Sequence, residues 1–180
     1  MPASDEAIFR QVQRGDRSAF ATLVDRFERR ALAVAIRVLG RREDAEDAVQ
    51  QAFLRLYESR ASYNPRWRLN TWFYRILVNA CIDELRRRRP ADPADVAEMP
   101  GADNPERAAI HRDLSRSLQA ALVAVPTEAR IALTLYYGDG RSYQEIGRIR
   151  GVSVNTVKTH LRRGRLALRR ALRRQGVDVP

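Results

Sequence analysis

The sequence predicts an all-α protein made of two small helical domains joined by a flexible linker. Apolar residues recur at intervals of three and four, the period of one helix face, and not at intervals of two. No run of alternating β-branched residues appears, and most of the glycines fall at natural breaks, namely Gly15, Gly40, Gly101, Gly138, Gly140 and Gly151. In the middle of the chain, Pro90, Pro93, Pro100 and Pro105 interrupt any helix, and Asp92, Asp95, Glu98, Asp103 and Glu106 face one nearby base, Arg107. A stretch so acidic and so poor in large apolar groups has the composition of a linker. The expected division is a first domain over 1–90, a linker over 91–105 and a second domain over 106–180.

The elements follow in order. Helices are expected over Asp5 to Arg14, Ser18 to Leu39, Glu43 to about Ser59, and Leu69 to Arg89, with Ser18 capping the second and Gly40 ending it. Beyond the linker they are expected over Glu106 to Ala124, Thr127 to Tyr137, Ser142 to Arg150, and Ser153 to about Arg174. Ser142 and Glu145 make the S-x-x-E capping box, Gly151 permits a sharp turn, and Ser153 can cap the last helix. Val154, Val157, Leu161, Leu168 and Leu172 then form an apolar stripe, with Lys158, Thr159, Arg162 and Arg163 projecting away from it.

Charge narrows the function. Lys and Arg number 33 against 22 Asp and Glu, a net charge of +11, the balance of a nucleic-acid binder. Between Ile146 and Val177 there are ten Lys or Arg residues and no acid. A basic helix of this kind can be a solvated face, but here cap, turn, second cap and one-sided charge coincide in order. That arrangement reads as a helix-turn-helix whose last helix enters a major groove while later arginines meet phosphates. The N-terminus, MPASDEAIFRQ, carries acids where a signal peptide needs a basic region and an apolar stretch, so a cytoplasmic protein without membrane insertion is expected. Cys81 stands alone in an apolar helical stretch and reads as a small core residue, and His111 and His160 are isolated. No nucleophile–base pair, metal cluster or phosphate-cradling loop is found. Neither enzymatic activity, nor a small-molecule substrate, nor a cofactor is expected.

Two further segments carry chemistry. Arg42 to Tyr57 is amphipathic, with Ala45, Val49, Ala52, Phe53 and Leu56 on one face, and with Glu43, Asp44, Glu46 and Asp47 near its start, where the helix dipole favours anions. Between Tyr63 and Tyr74, five aromatic residues (Tyr63, Trp67, Trp72, Phe73, Tyr74) are interleaved with Arg66 and Arg68, and Arg75 follows. Rings beside cations suit unpaired bases, which stack at about 1–3 kcal/mol each. Trp72, Phe73, Ile76 and Leu77 have helical spacing suited to a core, whereas Tyr63, Trp67 and Arg68 fall in a loop marked by Asn64-Pro65.

These segments resemble, in order, the conserved regions of the extracytoplasmic-function sigma factors, a group of the sigma-70 family. Pro126, Ser142, Tyr143, Glu145, Ile146, Thr156, Val157, Lys158, Leu161, Arg163 and Arg165 match the region 4 pattern, with its "SYxEIA" and "GTVKSRLxRAR" motifs. Gly147, Asn155 and His160 depart from it, standing where alanine, glycine and arginine are usual. The resemblance implies −35 contacts from Lys158, Thr159, Arg162 and Arg163, with Ser153, Asn155, Thr156 and Arg165 in the same set. Asp44, Asp47, Gln50, Phe53 and Leu54 match the region 2.2 helix "DAEDLVQExFLRxW", which docks on the polymerase clamp, and Gln51 replaces its usual glutamate. Thr71, Trp72, Tyr74, Arg75, Ile76, Asn79, Asp83 and Leu85 match "TWLYRIAxNxxxDxLR" of regions 2.3 and 2.4, with Tyr63 in place of a preceding Phe. The resemblance therefore implies capture of a flipped −10 base by Asn79 and the preceding loop. Tyr63, Trp67, Arg68 and Arg75 would line that site, and Arg86 and Arg87, within the Arg86–Arg89 run, would lie along upstream phosphates. The implied partners are promoter DNA and core RNA polymerase, through its β′ clamp and β flap. An anti-sigma factor is a further candidate, since many relatives are controlled that way.

The implied function is that of an alternative sigma factor. A helix-turn-helix regulator of the response-regulator output type is the competing reading. It needs a receiver before the helix-turn-helix, and the first ninety residues lack the strand–helix alternation of one. A basic RNA-binding protein leaves the ordered set of motifs unexplained.

Overall fold

A computed structural model describes residues 3–87 and 115–177. All regular structure among the described residues is helical. The expected linker, Arg88 and Arg89, the first part of the expected fifth helix and His111 lie outside them.

Helix α1 (Asp5–Gln13) starts at Ser4, whose hydroxyl accepts from the Ala7 N–H, and buries Ile8, Phe9 and Val12. Helix α2 (Arg17–Leu39) is capped by Asp16 and not by Ser18, because the Asp16 carboxylate accepts from both the Ser18 and Ala19 N–H groups. The Ser18 hydroxyl donates to the same oxygen, and these bonds hold the Asp16 carboxyl below its ordinary range. Gly40 ends α2 at φ 84°, a left-handed conformation that glycine adopts without steric cost. Helix α3 (Arg42–Glu58) has no side-chain cap, and Glu43 and Asp44 in its first turn complement the dipole. A 3-10 turn (Arg60–Ser62) leads into α4 (Leu69–Arg87).

The first half closes around aromatic rings. Phe53 stacks on Phe73 at 4.9 Å between centroids, and Phe27 packs on Phe73 at 5.2 Å. Phe73 and Leu77 are fully buried as expected, while Trp72 and Ile76 pack at the margin. Cys81 is fully buried, and that burial pushes its thiol up to about 12, which fits a small core residue.

The second half comprises α5 (helical through 115–123), α6 (Thr127–Leu133), α7 (Tyr143–Arg150) and α8 (Val154–Arg174). After α6 the chain runs through a widened turn, Thr134–Gly138, in which Asp139 N–H reaches the Thr134 carbonyl at 3.1 Å. Helices α6 and α8 approach closely at Gly164, where an added Cβ would stand 2.9 Å from Leu133 Cγ. Gly147, the departure from alanine, has a similar cause: a Cβ there would lie 2.9 Å from the Val152 carbonyl oxygen.

The two halves also pack on each other, which neither periodicity nor composition foretells. The second half supplies donors to carbonyls in the last turn of helix α2, one of which, that of Ile36, also accepts from the Gly40 N–H. Gln119 Nε2 donates to the Ile36 carbonyl at 2.8 Å, and Arg130 Nη1 to the Val38 carbonyl at 2.7 Å. Helix α4 packs against α7. Among the described residues no helix is long and apolar enough to cross a membrane.

Candidate nucleic-acid and polymerase interface

Three surfaces carry the residues singled out by sequence. The first is the outer face of α3. Asp47 and Gln50 are exposed, and Leu54 is 48 % exposed, one of the most exposed large apolar side chains described. Asp44 is half-buried. Phe53 is only 8 % exposed and belongs to the aromatic core. The apolar part of any docking contact therefore falls to Leu54. Glu46 pairs with Arg42 at 2.9 Å and Glu43 with Arg41 at 3.5 Å, while Asp47 has no ion-pair partner among the described residues.

The second surface is the loop before α4 and the exposed face of α4 itself. The loop is held from several sides. Arg66 N–H donates to the Asn64 side chain at 3.0 Å, the Tyr63 hydroxyl donates to the Trp67 carbonyl at 2.5 Å, and the Leu69 N–H reaches Glu6 of α1 at 3.3 Å. Tyr63 is 7 % exposed, wedged edge-on against Phe9 and tilted on Trp72, so it braces the loop and is not an open stacking face. Trp67 is 43 % exposed, and Arg68 and Arg75 are exposed. A cavity of about 190 Å³ opens beside them, lined by Tyr63, Trp67, Trp72 and Arg75 and also by Arg148 of α7. Asn79 lies one turn beyond Arg75, exposed, and its side-chain oxygen accepts from Arg150 at 3.4 Å. Arg86 and Arg87 are exposed at the end of α4. No local pattern places Arg148 and Arg150 here, because both belong to the helix-turn-helix and meet α4 only through the fold.

The third surface is the helix-turn-helix. Ser142 Oγ accepts from the Glu145 N–H at 3.2 Å, and the Glu145 carboxylate accepts from the Ser142 N–H at 2.9 Å, completing the expected capping box. The Ser142 backbone bond, then its hydroxyl, hold the Glu145 carboxyl below its ordinary value. A depressed carboxylate stabilises the fold above its unfolded pKa, and that contribution is lost as pH falls through the folded value. Gly151 turns the chain at φ 68°. Ser153 caps α8, accepting from the Thr156 N–H at 3.1 Å, and its hydroxyl shares a hydrogen bond with that of Thr156.

Val157, Leu161, Gly164, Ala171 and Leu172 face inward, and Asn155, Lys158, Thr159, Arg162, Arg163 and Arg165 are exposed. His160 is half-buried. Arg165 leans on the Tyr137 hydroxyl at 3.4 Å, a contact that raises its pKa. Beside it, Leu118, Leu122, Leu166 and Leu168 line an apolar groove of about 820 Å³ edged by Arg37 and Arg162.

Comparison with known proteins agrees with this layout. The pattern described as Sigma-70 region 2 matches residues 23–91, and that described as Sigma-70, region 4 matches residues 115–168. The chain is 36 % identical to the ECF RNA polymerase sigma factor SigW of Bacillus subtilis, over 91 % of this chain and 94 % of that protein. It is 30 % identical to the RNA polymerase sigma-H factor of Pseudomonas aeruginosa, covering 93 % of each. It is also 30 % identical to the ECF RNA polymerase sigma-E factor of Escherichia coli K12, covering 92 % of each. Among solved structures, CnrH in complex with the cytosolic domain of CnrY superposes with a TM-score of 0.72 at 24 % identity, over 94 % of this chain and 97 % of that one. The sigma factor RpoE of Bartonella quintana, solved with the anti-sigma factor NepR, gives 0.70 at 24 %, over 86 % and 96 %. These two share the fold. With both conserved regions matched in order and full-length relatives at 30 % identity or more, the chain belongs to the extracytoplasmic-function sigma factors, alternative sigma factors of bacterial RNA polymerase that direct initiation at specific promoters.

Proposed function

We propose a division of labour in which residues 1–90 dock on core polymerase and capture a −10 base, residues 106–180 read the −35 duplex, and residues 91–105 link the two. What carries this reading is the succession of three distinct surfaces along one chain: an acidic-apolar helix face, an aromatic-cationic pocket beside Asn79, and a capped helix with a cationic outer face.

On α3, Asp47, Gln50 and Leu54 meet the β′ clamp, with Asp44 at the edge. On α4, Trp67 supplies the ring, Arg68 and Arg75 the cations, and Asn79 the polar group for an extruded base. Binding energy gained by trapping that base offsets the cost of unstacking it, so recognition and strand opening are one event. On α8, the N-terminal turns enter the major groove. Lys158, Thr159, Arg162 and Arg163 make the contacts, and Ser153 and Thr156 shape the helix start. The second domain also meets the β flap.

The protein acts as a specificity subunit and not as an enzyme, in the bacterial cytoplasm where promoter and polymerase are. An anti-sigma factor is the proposed regulator, because one structural neighbour, RpoE of Bartonella quintana, was solved with such a partner. The groove edged by Arg37 and Arg162 supports this, since it fits an amphipathic helix with an acidic margin.

The −35 assignment is tested by the double substitution Lys158→Ala, Arg163→Ala. Each lost phosphate contact lowers the slope of log affinity against log salt by about 0.9, so the double variant flattens it by about 2. Run-off transcription from a −35-dependent promoter falls accordingly. Unchanged initiation at moderate salt counts against the assignment.

A further inference from the structure

We propose that the cavity beside Trp67 selects a keto base, guanine or thymine, and that Asn64 is the residue that turns amino bases away. This selectivity rests on the reading of the loop and α4 as the −10 site and assigns that site the bases it takes.

The first support is the polarity of the cavity wall. Trp67, Trp72, Arg75 and Arg148 line the cavity of about 190 Å³, and their side chains can donate hydrogen bonds but not accept them. Arg75 and Arg148 are exposed and form no ion pair among the described residues. Among those residues no carboxylate lines the cavity. Glu6, which reaches this loop from α1, accepts from the Leu69 N–H at 3.3 Å. Besides Asn64, three hydroxyls complete the wall, and two of them belong to the buried side chains of Tyr63 and Thr71. Ser62 carries the exposed one, so donors outnumber acceptors. Arg148 comes from α7, and the balance keeps its sign without it.

The second support is the fixed orientation of Asn64. Its side-chain oxygen accepts from the Arg66 N–H at 3.0 Å, which leaves the NH2 group, with both its hydrogens, as the end offered to a ligand. The loop that carries it is braced by the bond from the Tyr63 hydroxyl to the Trp67 carbonyl at 2.5 Å. A donor held in this way discriminates, whereas a free amide rotates to suit either kind of edge. Asn79 is the contrast, because its side-chain oxygen meets only Arg150 among the described residues, at 3.4 Å. It can hold either kind of base without deciding between them.

The third support is what the four bases present. Guanine offers O6 and N7 as acceptors and thymine offers O4, where adenine and cytosine carry an amino donor. A keto base entering the cavity gives the Asn64 NH2 and the Arg75 guanidinium an acceptor in place of the water it expels. An amino base sets donor against donor and leaves both unsatisfied once that water is gone. The expected discrimination is about 5- to 150-fold, the range for one base read by well-placed hydrogen bonds.

Base scanning with the holoenzyme tests this selectivity. The full chain is assembled with core polymerase and bound to fork templates already unpaired over the −10 element, so that recognition is measured apart from opening. In a promoter taken from mapped start sites, each non-template position of the element is filled in turn with the four bases. Wild type is expected to show a position at which guanine or thymine binds about 5-fold or more tighter than adenine or cytosine. Asn64→Asp keeps the oxygen that accepts from the Arg66 N–H and replaces the NH2 donor with an acceptor. Its order at that position is expected to invert, with adenine or cytosine binding tighter, while the order elsewhere stays. The added charge weakens every template alike, so the ratio among bases at fixed salt is the readout. Asn64→Ala is expected to flatten that ratio without inverting it. Both variants are expected to match wild type in circular dichroism, since Asn64 is exposed.

A wild-type preference for adenine or cytosine at every sensitive position, or the wild-type ratio retained in both variants, overturns the selectivity and leaves base capture standing. If Asn64→Asp binds no template, Asn64→Ala decides: an undiminished ratio overturns the selectivity and a flattened one supports it. Wild-type binding that is indifferent to every base of the unpaired strand overturns the capture reading and the selectivity with it.

Discussion

Asp47→Arg is expected to abolish co-purification of the protein with core RNA polymerase. The side chain is exposed on α3 and lacks an ion-pair partner among the described residues, so its charge is available to a basic partner. Reversing a charge at an interface sets like charges together, which costs several kcal/mol and two or more orders of magnitude in affinity. The fold itself should be indifferent, since an exposed helix position accepts Arg readily. Circular dichroism and melting temperature are therefore expected to match wild type while the polymerase band disappears. Leu54→Asp should act in the same direction through the apolar part of the contact. Phe53→Ala should instead lower stability by about 3–5 kcal/mol, because its ring stacks on Phe73 in the core. Retained polymerase binding by Asp47→Arg removes the docking assignment.

The second large effect falls on promoter opening. Trp67→Ala removes an exposed stacking ring, worth about 1–3 kcal/mol or roughly 5–150-fold. Asn79→Ala removes the polar group beside it. Both should slow formation of the open complex while leaving closed-complex affinity near wild type, because −35 contacts are untouched. A template already melted over the −10 element should rescue both variants. Failure of that rescue sinks the base-trapping role. Tyr63→Ala makes the contrast: Tyr63 is buried against Phe9 and Trp72, so it should lower stability along with opening.

Helix boundaries were largely legible because their determinants are local. The Ser142–Glu145 box, Gly151, Ser153 and Gly40 each act within a few residues of themselves, and the structure uses each as expected. The shift of the α2 cap from Ser18 to Asp16 is a choice between two competent residues, settled by an aspartate that can reach two N–H groups. The widened turn at Thr134–Gly138 has no comparable local signature.

The candidate site was legible in type and less so in exposure. Motif residues such as Phe53 and Tyr63 sit in the segments proposed for docking and capture, but a one-residue step on a helix, or a bracing loop, decides whether a ring faces water or core. Least legible was the seam. Gln119, Arg130 and Arg141 are buried polar groups whose partners lie about 70 to 90 residues away in sequence, several of them backbone carbonyls. No pattern within one segment can announce such a pairing, and composition alone places those side chains on the surface.

The most direct test is transcription by core RNA polymerase on a genomic library, with and without the purified protein, followed by mapping of transcript 5′ ends. The protein should copurify with the core enzyme and produce starts at a defined set of sites sharing paired upstream elements. Starts that are the same with and without it, or scattered without shared sequence, would contradict its assignment as a promoter-specificity subunit.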